Sequence, residues 1–246
     1  MVAENNIDLL DGETLDTLKG GTLKIIQHRH GYRFSIDPLL LCAFTKVQNS
    51  ERILDLGCGS GIIALLLAHW YDDCIVVGAE VQQRQAERAR RNVFINALTE
   101  RVSIKHTDLR LMTSSFGLFD RVVANPPFRP LGTGRCSSGD ERAASRHELS
   151  GGLHDFINCG ARMLRHGGSM SMIHLAERLV DIVALMRKAS LEPKRIRFVH
   201  SRTGDAARLV LVEGRKGGRP DAVIMAPLYV YDGDDYSDEV AAIYQR

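Results

Sequence analysis

Residues 55–61 read Asp55-Leu56-Gly57-Cys58-Gly59-Ser60-Gly61, and they stand between an apolar run and a helix-forming run. The run before them, residues 52–55, has the short branched composition of a buried strand, and residues 61–70 form a longer apolar stretch typical of a buried helix. Three alternating glycines permit a tight turn between the two elements and let a ligand approach the backbone. The stretch therefore predicts an α/β fold with a ligand at this turn.

Short strand-like runs alternate with helix-like runs along most of the chain. Further strands are predicted at residues 75–79, 102–106, 120–124, 169–174, 194–200 and 208–213, and helices at 83–96, 153–164 and 176–189. The last two strands flank a short loop containing Gly204 and suit an antiparallel hairpin. Residues 1–50 hold a ribbon strand at 23–27 and an apolar helix near 39–44. This alternation predicts a mainly parallel sheet of seven strands, covered on both faces.

The composition excludes several classes of protein. With 246 residues, of which 44% are hydrophobic and 25% charged, the chain suits one soluble globular domain. Its five cysteines include no Cys-x-x-Cys pair, so the sequence favours a reducing cytoplasm over a disulfide framework or a zinc site. His28 and His30 lack further ligands at suitable spacing, and no metal is predicted. We expect no signal peptide, and no membrane span because the most apolar run, residues 62–70, is too short.

The glycine turn departs from two phosphate-binding motifs. A dinucleotide fingerprint needs glycine at position 62, where this chain has Ile62, and a P-loop needs a Gly-Lys-Ser/Thr ending that is absent here. The acid that follows the next strand is Glu80, 19 residues beyond Gly61. A carboxylate at this place can accept hydrogen bonds from both hydroxyls of an unphosphorylated ribose. These features favour a nucleoside ligand over a dinucleotide.

Asn125, Pro126, Pro127 and Phe128 follow the strand predicted at residues 120–124. The two prolines lack N–H groups, so the carbonyls of Asn125 and Pro126 find no donor within the turn. The side-chain oxygen of Asn125 and the carbonyl of Pro126 can accept the two N–H bonds of a planar amino group, and the Phe128 ring can stack on its base. This pattern favours methylation of a ring amino group, because two acceptors stabilise the pyramidal nitrogen that attacks the methyl group in line.

The glycine turn with Glu80 and the Asn-Pro-Pro-Phe sequence together resemble the class I S-adenosylmethionine (SAM) methyltransferases that act on amino groups. The resemblance implies a Rossmann-like fold and SAM as the cofactor. It implies that the methionine portion of SAM lies against the glycine turn, the ribose against Glu80 and the adenine near Asp108. The implied cofactor-binding residues are Asp55, Gly57, Gly59, Gly61, Glu80 and Asp108, and the implied catalytic residues are Asn125, Pro126 and Phe128.

Three flanking stretches narrow the resemblance. Residues 34–41, 142–148 and 227–244 are similar to the bacterial family of adenine-N6 methyltransferases that modify the anticodon loop of valine tRNA. Phe128 departs from the tyrosine that is common in that family but keeps the stacking surface. We expect an N-terminal extension, residues 1–50, packed on a single methyltransferase domain, residues 51–246.

Local charge favours an RNA partner more than the total net charge of +2 does. From Arg187 to Arg219, ten Lys or Arg residues stand against three acids, a net charge of +7, whereas residues 221–246 carry −5. We expect this basic strip and the loop after Phe128, with Arg142 and Arg146, to contact tRNA phosphates. The alternative interpretation is a solvent-exposed surface whose charge is balanced by the acidic residues 221–246, and it would give the same net charges.

Other functions remain open at this point. A glutamine-amide methyltransferase of a translation protein would use the same Asn-Pro-Pro turn, although only about 50 residues precede the predicted core and no separate helical domain is expected there. A guanine-N2 RNA methyltransferase is a second alternative. The third is a SAM- or RNA-binding module without turnover, which the intact glycine turn and Asn-Pro-Pro-Phe sequence disfavour.

Overall fold

The computed structural model describes residues 8–18, 22–29, 35–128 and 151–246. Helices are α1 Asp37–Phe44, α2 Ile62–Trp70, α3 Gln83–Ile95, α4 Leu153–Met163, α5 Leu179–Lys188 and α6 Asp238–Gln245. The longer strands are β1 Glu13–Leu18, β2 Leu23–His28, β3 Arg52–Leu56, β4 Ile75–Glu80, β5 Val102–His106, β6 Phe119–Ala124, β7 Leu164–Leu175, β8 Leu191–His200 and β9 Ala207–Lys216. Four two-residue strands follow: β10 Val223–Ile224, β11 Leu228–Tyr229, β12 Tyr231–Asp232 and β13 Asp235–Tyr236.

The large sheet has the strand order β10-β8-β9-β7-β6-β3-β4-β5, and β11 also pairs with β8. Strands β3 to β7 are parallel to one another, whereas β9 runs antiparallel to both β7 and β8. The expected α/β fold with a largely parallel sheet and an antiparallel hairpin near the C-terminus is therefore confirmed. The seven predicted strands are all present, and β10 and β11 bring the sheet to nine.

Helices cover both faces of the sheet because its strands are apolar on both sides. Ile53 and Val123 point to the face covered by α1, α2 and α3, where Leu65 lies in the core. Leu54 and Val122 point to the opposite face, which α4 and α5 cover. Helix α2 is buried along Ile62–Ala68, as expected for an apolar helix between a sheet and other helices. The two cores hold the strand ends in place.

The N-terminal residues form more structure than the sequence pattern indicated. β1 pairs antiparallel with β2 as a separate two-stranded ribbon, and only β2 was predicted. Glu13 of β1 is buried and accepts hydrogen bonds from Arg88 (2.9 Å) and Arg91 (2.7 Å) on α3. These contacts fix the ribbon on α3, and α1 packs in the same core as α2.

The four cysteines in the described ranges, Cys42, Cys58, Cys74 and Cys159, are free and buried. Burial raises the pKa of the Cys58 and Cys159 thiols, which keeps them protonated. Among residues 8–18, 22–29, 35–128 and 151–246, no helix is long and apolar enough to cross a membrane.

Candidate active site

The carboxyl ends of β3, β4, β5 and β6 meet at one edge of the sheet, which we call the upper edge. In the strand register Leu56 pairs with both Ala79 and Ala124. Gly57 and Asn125 therefore leave the sheet side by side, on strands about 4.8 Å apart. The two predicted motifs, 64 residues apart in sequence from Gly61 to Asn125, are brought together by the parallel pairing of β3 with β6.

The glycine turn needs glycine for its backbone conformation. Gly57, Gly59 and Gly61 have φ values of 67°, 55° and 87°, in the left-handed region that other residues rarely adopt. A Cβ atom on Gly57 would lie 3.0 Å from the Phe156 ring, so this position is also crowded. The backbone N–H groups of Gly57 and Cys58 donate to the carbonyl of Ala79, which ties the turn to β4.

Gly59 differs from its neighbours because the space around it is open. A Cβ atom there would meet no other atom within 4 Å. The Gly59 N–H donates to Oε2 of Glu80 at 2.9 Å, and the Gln82 N–H donates to Oε1 at 2.8 Å. A carboxylate has about four lone-pair positions, and the backbone donors do not use all of them, so the Glu80 carboxylate can still accept from a ligand. Burial raises the pKa of Glu80, and the backbone N–H groups of Gln82, Gly59 and Val81 oppose that rise.

Asp55 lies beneath the turn and is fully buried. Neither carboxylate oxygen makes a hydrogen bond of normal geometry within the described parts of the chain. Burial is the main cause that raises the pKa of Asp55 to about 8; the Ala64 backbone N–H opposes it and the nearby charge of Glu80 adds to it. A buried carboxylate without partners is costly. It suits a cationic ligand group such as the ammonium of SAM, and the glycine turn and Glu80 fit the rest of that molecule.

Asp108 reaches the upper edge after β5, but its carboxylate already has partners. It caps a 3-10 turn by accepting from the Arg110 backbone N–H at 2.9 Å, and the Arg110 guanidinium lies 2.6 Å away. The side-chain hydrogen bond from Arg110 is the largest cause that lowers the pKa of Asp108. The capping role is therefore observed, and contact with adenine remains a prediction.

The Asn-Pro-Pro-Phe sequence follows β6 directly at the upper edge, outside any helix or strand. Asn125 and Phe128 are partly exposed, Pro126 is buried and Pro127 is exposed. Neither the Asn125 side chain nor the Pro126 carbonyl has a hydrogen-bond partner among the described residues. Within the described ranges, both acceptors are therefore without a donor. Residues 129–150, with the predicted contacts at Arg142 and Arg146, lie outside the described ranges.

His174 is a site residue that the sequence reasoning missed. It is the last residue but one of β7, beside β6, and is 2% exposed. Its ring centroid lies 5.2 Å from that of Phe128 at an interplanar angle of 60°. Burial, helped by the positive charge of Arg178, lowers the pKa of His174 to about 4. Nδ1 accepts a hydrogen bond from the Leu175 N–H at 2.8 Å, so Nε2 carries the proton of the neutral ring. The sequence signal that could have identified His174 is its position at the carboxyl end of a predicted parallel strand, where ligands bind in α/β folds.

The basic strip is not one surface. Strand β8 runs upward and β9 returns, so Lys194, Arg195 and Arg215 lie at the lower edge of the sheet, whereas Arg202 and Arg208 lie near the upper edge. Half of the ten cations form ion pairs: Arg187 with Glu192, Lys194 with Asp221, Arg195 with Glu213, Arg197 with Glu239, and Arg202 with Asp234. The +7 count therefore overstates the charge near the glycine turn, because most of it is paired or at the far edge.

No group of three or more His, Cys, Asp or Glu side chains in the described ranges is placed to hold a metal ion. His28 is in β2, and His30 lies outside those ranges.

The fold and the site define a class I SAM-dependent methyltransferase. The chain belongs to the methyltransferase small domain family, whose model matches residues 36–189. That match includes the glycine turn, Glu80 and the Asn-Pro-Pro-Phe sequence.

Comparison with known proteins agrees with this assignment. The tRNA1(Val) (adenine(37)-N6)-methyltransferase of Vibrio parahaemolyticus is 26% identical over 217 residues, 85% of each chain. The protein of the same name from Aeromonas hydrophila is 29% identical over 77% of this chain and 79% of its own. Among solved structures, a predicted O-methyltransferase from Agrobacterium tumefaciens has a TM-score of 0.68 at 25% identity, covering 85% of this chain and 95% of its own.

Proposed function

We propose that the protein transfers the methyl group of SAM to adenine N6 in a tRNA anticodon loop. The observation that carries this proposal is the placement of Asn125 beside Gly57 by the register of β3 and β6, with the Phe128 ring at the same edge. The names of the Vibrio and Aeromonas relatives support the tRNA substrate. A cytoplasmic location accords with this substrate.

The cofactor is held by the residues around the glycine turn. Asp55 accepts the ammonium of the methionine portion, Glu80 binds the ribose, and Gly59 leaves room for the ligand. When bound, SAM supplies an electrophilic methyl group on a sulfonium. Asp108 lies beside the adenine, with its carboxylate held by Arg110.

The target amino group is bound by two acceptors. The side-chain oxygen of Asn125 and the carbonyl of Pro126 accept its two N–H bonds, which favours the pyramidal nitrogen needed for attack. Phe128 stacks on the base, and base–aromatic stacking contributes roughly 1–3 kcal/mol. His174 holds the Phe128 ring from the opposite side. No strong base is needed, because the nitrogen proton becomes acidic once the new bond forms.

Asn125→Ala tests this proposal. We expect methyl transfer to fall by about a hundredfold or more, the range seen when one transition-state hydrogen bond is removed, with the SAM dissociation constant unchanged within about twofold. Tritiated SAM and tRNA from cells that lack the enzyme give the rate, and mass spectrometry of nucleosides identifies the product. Asn158→Ala, the same change at a helix position bonded to His154, is the matched control and should keep full activity.

Three results would contradict the proposal. Near-normal turnover by the Asn125→Ala variant would remove Asn125 from the site. Label in a translation protein and none in tRNA would favour a glutamine amide, and N2-methylguanosine in place of N6-methyladenosine would change the base. Tight SAM binding with no acceptor in whole RNA or whole protein extract would favour a binding module.

Arg208 is the cation of the basic strip that we propose to contact RNA. It is exposed at the start of β9, near the upper edge; its charge acts on Asp37, but it forms no salt bridge with a described residue. Lys188 is also exposed, at the end of α5 near the lower edge, and is likewise without an ion-pair partner there. Arg208→Ala should lower RNA affinity and reduce the salt dependence of binding by about one counterion, whereas Lys188→Ala should change neither. Equal effects of both variants would refute this placement.

A further inference from the structure

Asn92 of α3 and Asn96, the residue that caps the C-terminus of this helix, bind the backbone of the N-terminal ribbon. Asn92 accepts from the Ile26 N–H at 2.7 Å and donates to the Ile26 carbonyl at 3.0 Å. Asn96 does the same with Lys24, at 2.8 Å and 2.6 Å. Each side-chain amide therefore pairs with a backbone amide as a neighbouring strand would, and the backbone groups of Lys24 and Ile26 are satisfied.

The helix and strand spacings explain why two asparagines can do this. Residues four apart on a helix are separated by about 6 Å along its axis, and residues two apart on a strand by about 6.7 Å. Asn92 and Asn96 thus match Ile26 and Lys24 with little distortion. Covering a strand edge in this way also prevents it from pairing with another chain.

The two asparagines differ in their third hydrogen bond: the Asn96 Nδ2 also donates to the Asn92 carbonyl within the helix, at 2.7 Å. The Asn92 Nδ2 donates instead to the carbonyl of Ser60 at 2.9 Å, inside the glycine turn. Asn92 is fully buried, and its three hydrogen bonds use both N–H groups of the side-chain amide and its oxygen. One turn earlier on the same helix, Ala89 lies against Gly61, since a Cβ atom on Gly61 would come within 3.3 Å of the Ala89 Cβ.

We propose that Asn92 is a positioning residue for SAM binding, joining the N-terminal ribbon to the glycine turn. Through Ser60 it fixes the segment between Gly59 and Gly61, whose left-handed backbone has little intrinsic preference for one shape. The ribbon thereby supports the cofactor site without touching the cofactor. This inference rests on the proposed role of the glycine turn in binding SAM.

Asn92→Ala and Asn96→Ala form the decisive pair. Both remove a bidentate contact with the ribbon, and both should lower the melting temperature. Only Asn92→Ala should weaken SAM binding, by about fivefold to tenfold, the effect of losing one buried hydrogen bond. Its KM for SAM should rise by the same factor, while kcat at saturating SAM and KM for tRNA stay near the wild-type values. Calorimetry with SAM, at a temperature well below unfolding, gives the dissociation constants.

Equal SAM affinity in the two variants would overturn the proposal and reduce Asn92 to ribbon attachment. Should Asn92→Ala fail to fold, Asn92→Ser replaces it, because a serine hydroxyl is too short to reach both Ile26 and Ser60. Gly59→Ala separates this inference from the site assignment. If Gly59→Ala leaves SAM binding unchanged, the glycine turn is not the cofactor site; if it weakens binding and Asn92→Ala does not, only the role of Asn92 fails.

Discussion

Replacing Asp55 by asparagine should stabilise the folded protein at neutral pH in the absence of SAM. The Asp55 carboxyl is fully buried, and its oxygens make no hydrogen bond of normal geometry within the described residues. Its pKa is raised from 3.8 to about 8, mainly by burial. Asparagine has nearly the same shape and no charge, so it removes the cost of this group while keeping the packing.

The size of the effect follows from the pKa. Between pH 4 and pH 8 the folded protein keeps the Asp55 proton, whereas the unfolded chain has lost it. Each pH unit in this range lowers the free energy of unfolding by about 1.4 kcal/mol. By pH 7 the wild-type protein has therefore lost about 4 kcal/mol through this one group. The NH₂ group of the new asparagine is buried and needs a hydrogen-bond acceptor. Leaving it without one costs about 1–3 kcal/mol and offsets part of the gain in stability.

The pH dependence is the diagnostic quantity, because the NH₂ offset is the same at every pH. Chemical denaturation of wild type and Asp55→Asn from pH 5.5 to 7.5 should show a difference in unfolding free energy that grows by about 1.4 kcal/mol per pH unit. A difference that stays constant over this range would refute the raised pKa. Asp108→Asn is the control with the opposite sign: Arg110 lowers the pKa of Asp108, so this variant should lose stability at neutral pH and regain parity in acid.

Three further predictions concern the same edge of the sheet. Binding of SAM at pH 7 should release close to one proton from Asp55, as its pKa falls beside the ammonium; calorimetry in buffers of different ionisation enthalpy measures it, and a release near zero contradicts the contact. Gly57→Ala should lower the melting temperature more than Gly59→Ala, because only Gly57 also meets the Phe156 ring, whereas Gly59→Ala should weaken SAM binding at the open surface; the reverse order would argue against the site. His174→Ala should lower kcat/KM for tRNA about threefold to tenfold, the value of an aromatic pair, with SAM affinity unchanged, and His174→Phe should restore most of it; a loss of SAM affinity would contradict this role.

Much of the fold was predictable because its signals are local. The runs at 75–79 and 102–106 are apolar and β-branched, and β4 and β5 form there within one residue of the predicted ends. The apolar helix predicted at 61–70 begins one residue later, because Gly61 takes the left-handed N-cap position. β1 was missed, since Glu13–Leu18 is mostly polar and is stabilised by α3 through Glu13.

The candidate site likewise has features that the sequence predicted and features that only the structure shows. Glycine tolerates a left-handed φ and proline lacks an N–H group in any fold. The sequence alone therefore identified the glycine turn and the Asn-Pro-Pro-Phe sequence as the features that resemble SAM methyltransferases. The pKa and the hydrogen-bond partners of each polar side chain, in contrast, depend on neighbours that are distant in sequence. The pKa of Asp55 comes from burial, and the partners of Asn92 are 66 and 32 residues away.

The sequence by itself determined the order of strands and helices, the turn that suits a nucleoside ligand and the acceptors that suit an amino group, because these depend on short-range backbone and side-chain chemistry. Only the tertiary structure decided that Asn125 stands beside Gly57, that His174 backs Phe128, and that the basic strip is split between two edges of the sheet. Strand order and register make those decisions, and they follow from the packing of the whole chain.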